Sequence, residues 1–180
     1  MKAVENNELD TIRHVGTLIG QTIAQGKVLH VFGSGHSDLI ATDCFMRAGG
    51  LACINKICDP SFGRGERVEN YGRMLVANYD LQPGEVLIVI SNSGRNPAPI
   101  EVALYAQEKG LKTIAITSLN HSQAVDSRHS AGSKLYEVCD IVIDTHVEIG
   151  DACVSIDGIT EKIGPTSTIV GTYILNMILV

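Results

Sequence analysis

The 180-residue sequence has no tryptophan, and its five tyrosines and three phenylalanines supply only 4% of the residues. Its core must therefore be built mainly from valine, isoleucine, leucine and alanine. Positive charge is also short: 14 lysines and arginines stand against 20 aspartates and glutamates, a formal net charge of −6. Binding nucleic acid needs a basic face that neutralises phosphates, so nucleic acid is excluded as the main partner. A small anionic ligand, held locally by a few donors, is not. The cysteines (Cys44, Cys53, Cys58, Cys139 and Cys153) are odd in number and form no C-x-x-C pair, which reads as idle thiols in a reducing compartment. No apolar run is long enough to span a bilayer and no signal-peptide pattern opens the sequence, so a cytoplasmic protein without membrane contact is expected.

The apolar residues that are present fall into two alternating patterns. Leu9, Ile12, Val15, Ile19 and Ile23 recur at helical spacing, with Asn6 and Asn7 as candidate caps and Gly26 as a stop, which predicts a first helix over 7–25. Short runs of strand length follow at 28–32, 52–57, 86–90, 113–117 and 141–143. Several are apolar at consecutive positions, as in strands covered on both faces. Helical patterns over 38–48, 66–78 and 97–109, and from 166 to Val180, lie between or after them, the third opening on prolines and closing on Gly110. The expected architecture is one α/β domain over 1–180, a doubly wound five-stranded parallel sheet of order 2-1-3-4-5 flanked by helices. Residues 118–133 and 144–165 are less regular and read as long loops.

Two of the strands end alike, one in Gly33-Ser34-Gly35-His36-Ser37 and the other in Ser91-Asn92-Ser93-Gly94-Arg95-Asn96. With order 2-1-3-4-5, both loops face the crevice where the strand order reverses, the usual ligand position in an open parallel sheet. Each leads into a helix whose first N–H groups are expected to be unpaired and electropositive. The alternative is that Ser37 or Ser93 only caps a helix. Neither G-x-x-x-x-G-K-[ST] nor G-x-G-x-x-G occurs, so a nucleotide fits poorly. A hydroxyl-rich cradle without lysine suits a phosphomonoester.

The stretches "HVFGSGHSD", "VLIVISNSGRNPAPIEVALYAQEKGLKTIAITS" and "GPTSTIVGTYILNMI" resemble the sugar isomerase (SIS) domain of phosphosugar isomerases and binding proteins. "FMRAGG", "DSRHSAGSKLYEVCDIVID" and "GDACVSIDGITEKIGPTST" are similar to one bacterial subgroup of that family. The resemblance implies dimers or tetramers and a site in which Ser91, Asn92, Ser93, Gly94 and Asn96 hold the phosphate. Ser34 and Ser37 would touch sugar hydroxyls or that phosphate, and Thr166 and Ser167 would either cap the last helix or wall the site. Departures from the similar arabinose-5-phosphate isomerases are His36 in place of a lysine and Arg95 in place of a glutamate. Relative to the subgroup, a loop is expected to be missing between Phe62 and Gly63, and residues beyond Val180.

Aldose–ketose interconversion needs a base at the carbon beside the carbonyl and an acid for its oxygen. Glu66 and Glu69, three apart in a predicted helix, are the carboxylate candidates, and Glu66 is preferred because Gly65-Glu66 resembles a Gly-Glu pair of the arabinose-5-phosphate isomerases. His36, in the first loop, is the candidate acid or base for ring opening. His129 lies in an irregular segment, while His121 and His146 read as surface residues. None forms a metal motif, so neither metal nor cofactor is expected. The leading reading is a cofactor-independent sugar-phosphate isomerase. The alternatives are a non-catalytic phosphosugar sensor or a muramic-acid-6-phosphate-type etherase. The apolar end "YILNMILV" is expected to expose a patch that joins copies into a homodimer or tetramer.

Overall fold

The β-branched runs become strands and the glycine- and proline-bounded segments become helices. The computed structural model describes residues 1–180. In chain order the elements are α1 (Lys2–Asn7), α2 (Leu9–Ala24), β1 (Leu29–Gly33), α3 (Ser37–Cys44), β2 (Ile54–Ile57), α4 (Tyr71–Val76), β3 (Val86–Ile90) and α5 (Pro97–Glu108). They continue with β4 (Lys112–Thr117), α6 (Leu119–Ala124), α7 (Leu135–Val138), β5 (Ile141–Asp144), β6 (Ala152–Val154), β7 (Ile163–Pro165) and α8 (Ser167–Leu179).

Strands β1 to β5 form a parallel sheet of order β2-β1-β3-β4-β5, the expected topology. Strand β3 shows why the runs are apolar throughout. Val86, Ile88 and Ile90 pack into one core with α2, α3 and α8, whereas Leu87 and Val89 pack into the other with α4 and α5. Successive side chains point to opposite faces, and neither face meets water.

Several boundaries differ from expectation, each for a local reason. The first helix is two: Asn7 closes α1 by donating its amide to the Ala3 carbonyl, and α2 starts at Leu9 without a side-chain cap. Helix α3 stops at Cys44, because Phe45 is extended and Met46 adopts φ +51°. Helix α4 is confined to Tyr71–Val76. Asn70, at φ +66°, breaks any helix arriving from Glu66. The segment 144–165 contains a small antiparallel hairpin, β6–β7.

The apolar C-terminal end is exposed only in part. Ile174, Leu175 and Ile178 are buried against α2 and α3. What remains open is a groove of about 730 Å³ between α2 and α8, lined by residues that include Ile12, Ile23, Leu51, Met177 and Val180.

Candidate functional site

Strands β1 and β3 are neighbours, and the order reverses between them, so their carboxyl ends open into one crevice. A cavity of about 230 Å³ lies there. Its walls are Ser34, His36 and Ser37 after β1, Ser91, Asn92, Ser93 and Asn96 after β3, Glu66 after β2, and Ser167 at the start of α8. Ile90, Pro99, His121 and Asp151 complete it, so the lining is almost entirely polar. Three of the sequence candidates do not line it. Gly94 is buried under its loop at φ +58°, Thr166 lies behind the wall with its N–H on Asp151, and Glu69 turns away to the backbone and hydroxyl of Ser130.

Neither Ser37 nor Ser93 caps a helix. His36 precedes α3, Asn96 precedes α5, and neither helix start has a side-chain cap. The expectation of free helix N-termini is also corrected. In α3 the N–H groups of Ser37, Asp38 and Leu39 turn back onto the carbonyls of Ser34, Gly35 and His36. In α5, Pro97 and Pro99 have no N–H, and that of Ala98 donates to the Glu66 carbonyl at 3.1 Å. The free donors are in the loop itself. The backbone N–H groups of Asn92, Ser93, Arg95 and Asn96 find no acceptor in the chain, while Gly94 N–H folds back onto Ser91 Oγ at 3.2 Å. Successive unpaired amides with flanking hydroxyls form an anion-binding concavity.

The segment that carries Glu66 is held by a residue the sequence reading passed over. The Asp59 carboxylate, only 8% exposed, accepts from Ser34 Oγ (2.6 Å), Ser61 N (2.9 Å), Ser61 Oγ (2.6 Å), Gly63 N (3.0 Å) and Tyr71 Oη (2.6 Å). Burial by itself would raise its pKa, but the hydrogen bonds from Ser34, Ser61 and Tyr71 outweigh it and hold the group at about 2. Its one signal in the sequence is Asp59-Pro60-Ser61, an aspartate poised for an Asx turn. The anchored segment closes on the first loop backbone to backbone. A Cβ on Gly63 would stand 2.8 Å from Gly35 Cα, and both glycines have positive φ.

Ser34 therefore has a defined polarity. Its hydrogen belongs to Asp59, so its oxygen can only accept from an occupant of the cavity. Ser167 is alike, donating to Asp151 Oδ2 at 2.6 Å. Glu66 and Glu69 share no helix face, because both precede Asn70 in a chain of turns. Only Glu66 reaches the cavity. Burial raises its pKa above 4.5; the charges of Arg67 and Arg128 oppose that rise and Asp59 reinforces it.

Of the other histidines, His121 is a cavity residue rather than a surface one, whereas His146 ties the N-terminal helices down through Glu8 (3.1 Å) and Asp144 (3.2 Å). His129 stands outside the cavity, where its ligating atom and those of Glu69 and Glu101 lie within 4.8 Å of one another. Those carboxylates are already occupied: Glu101 accepts from the N–H groups of Asn70, Gly72 and Arg73, and Glu69 from Ser130.

The 2-1-3-4-5 sheet agrees with the comparisons to known proteins. The family model for the SIS domain matches residues 1–118, well over half the chain, and the chain belongs to the SIS-domain family. Its relatives include UPF0309 proteins. That of Shouchella clausii is 43% identical over 87% of this chain and 68% of its own length. That of Oceanobacillus iheyensis is 38% identical over 99% of this chain and 76% of its own. Among solved structures, a phosphoheptose isomerase from Neisseria gonorrhoeae superposes with a TM-score of 0.61 at 16% identity, covering 98% of this chain and 85% of that one. The Vibrio vulnificus NanR protein, solved in complex with ManNAc-6P, gives 0.56 at 13% identity, covering 94% and 52%. At these identities the likeness is one of fold. No helix is long and apolar enough to cross a membrane.

Proposed function

We propose that this chain binds a sugar phosphate between its two Ser-Gly loops and interconverts its aldose and ketose forms. The observation that carries the reading is that Glu66, whose pKa is raised by burial, and the donor-rich 91–96 loop face the same 230 Å³ cavity. In this reading the phosphate sits against the hydroxyls of Ser91 and Ser93, the free N–H groups of Asn92 and Ser93, and the amide of Asn96. Ser37 donates to the same phosphate or to a sugar hydroxyl. Ser34 and Ser167 accept from sugar hydroxyls, since their own hydrogens are committed. The cavity lies below the usual range for larger ligands, about 300–1,000 Å³, which favours a single phosphorylated sugar over a nucleotide.

Glu66 is the base. A carboxylate whose ionised form is disfavoured by burial is a stronger base than a solvated one. Proton transfer of this kind requires no cofactor. His36, at the rim, serves ring opening. A cytoplasmic setting and assembly into a homodimer, with the α2–α8 groove as the contact, belong to the same proposal.

The test is solvent deuterium exchange into a panel of aldose and ketose 5-, 6- and 7-phosphates. Wild type should exchange at least one of them. Glu66→Gln should bind that sugar phosphate with little change yet exchange it about 10²–10⁴-fold more slowly. Tight binding by the wild type without exchange on any member would replace the isomerase with a sensor. Release of an ether-linked acid from a muramic-type 6-phosphate would replace it with the lyase.

A further inference from the structure

Isomerisation needs a group on the carbonyl oxygen as well as a base on the carbon, and the short helix α6 after β4 supplies a histidine for it. Ser118 caps that helix: its Oγ accepts from His121 N–H at 3.1 Å and donates to the Val147 carbonyl at 2.7 Å. The His121 ring lines the same cavity as Glu66. Its Nδ1 lies 3.4 Å from the amide nitrogen of Asn92, which donates to it. An imidazole whose Nδ1 accepts carries its hydrogen on Nε2, and Nε2 has no partner in the chain. We propose that His121 acts as the neutral electrophile of the site, presenting Nε2–H to the carbonyl oxygen of the bound sugar phosphate while Glu66 works on the adjacent carbon. This rests on the isomerase reading.

The surroundings favour the neutral ring. Burial lowers the His121 pKa below 6.5, and the Arg95 charge acts in the same direction, against the opposing pull of Asp151. Asp151 is the carboxylate that favours a proton on His121, and Glu66 and His36 are the other titratable groups of the cavity. A neutral imidazole is a well-matched donor to an enediolate oxygen, because it does not hold the developing charge as a trapped ion pair.

The step balances as follows. Glu66 takes the hydrogen from the carbon beside the carbonyl as a proton, and the C–H electron pair becomes the carbon–carbon double bond. The carbonyl π pair moves onto its oxygen, which takes the proton from Nε2. Nε2 then regains a proton from the hydroxyl on the neighbouring carbon, which becomes the new carbonyl. Glu66 returns its proton to the other carbon, so enzyme and charge end unchanged.

The experiment compares wild type with His121→Phe, which removes the donor, and His121→Gln, which keeps an N–H near the Nε2 position, on the panel member that wild type exchanges. His121→Phe should lower kcat at least 10²-fold with KM within about threefold, the range of a lost acid–base group. His121→Gln should recover much of that loss. The wild-type kcat should also fall with two protons on its acid side, from His121 below pH 6.5 and Glu66 above 4.5, and with one in His121→Gln. A folded His121→Phe with unchanged kcat, or with only KM raised, overturns the role of His121 and leaves the isomerase standing. A His121→Gln profile that still falls with two protons on its acid side does the same. Wild type that exchanges no hydrogen overturns both.

Discussion

Replacing Asp59 by asparagine keeps the shape of the side chain and removes its charge, so it isolates what the carboxylate does. Asparagine can satisfy the three donors on Oδ1, from Ser61 N, Ser61 Oγ and Tyr71 Oη, with its carbonyl oxygen. Its NH2 then faces Ser34 Oγ, which can turn and accept, and Gly63 N–H, which cannot. A buried amide left opposite another donor costs about 1–3 kcal/mol.

The charge contributes separately. Asp59 is held at about 2 in the fold against 3.8 for the free side chain, a difference worth about 2.5 kcal/mol at 1.36 kcal/mol per pKa unit. Because the folded pKa is the lower one, that stability is fully present above pH ~4 and is lost as pH falls towards 2. Asp59→Asn should therefore unfold about 3.5–5.5 kcal/mol more easily at pH 7, a fall in Tm of ~7–20 °C for a chain of this size. Its stability should lose less than the wild type's between pH 4 and 2. Removing the negative charge also relieves Glu66, so the acid limb of turnover due to Glu66 should move down in pH. Urea unfolding at pH 7, 4 and 2 with pH–rate profiles for both proteins gives all three readouts. Equal stability at pH 7, or parallel losses below pH 4, would refute the account of Asp59 as a charged anchor.

Other changes probe the remaining parts. Ser91→Ala with Ser93→Ala removes two hydroxyl donors to a charged group, each worth about 1.5–3 kcal/mol. Calorimetry should show sugar-phosphate affinity falling at least a hundredfold, with a modest fall in Tm because Gly94 N–H loses its acceptor on Ser91, and an unaltered affinity would displace the phosphate from this loop. Gly63→Ala forces a methyl to within 2.8 Å of Gly35 Cα at a φ of +83°, so it should lower both Tm and turnover, whereas Gly132→Ala, with open space around it and a similar strain, should lower Tm only. Glu66→Gln removes a carboxylate whose ionised form burial disfavours, so at pH 7 it should melt no lower than wild type while losing exchange. Sedimentation at micromolar concentration should give a dimer that Met177→Asp dissociates, and a wild-type monomer would leave the α2–α8 groove without its proposed role.

Local pattern determined the sheet and the two loops of this protein. Runs such as Val86–Ile90 are apolar at every position only if both faces are covered, and that requirement leads to a parallel sheet and to a crevice beyond its carboxyl ends. The Ser-Gly loops were legible for the same reason, since each directly follows such a run. Contacts across long separations were not. His121 follows β4 and Asp151 precedes the β6–β7 hairpin, and nothing near either in sequence marks it as facing Glu66; only the folding of five strands into one sheet brings their ends together. The helix drawn through Glu66 and Glu69 had the right spacing. It failed because the Asp59 carboxylate gathers Ser34, Ser61, Gly63 and Tyr71, and Glu101 in α5 holds the N–H groups of Asn70 and Gly72. Buried carboxylates that must be satisfied outweigh a weak helical preference, and where they find their donors is decided in three dimensions.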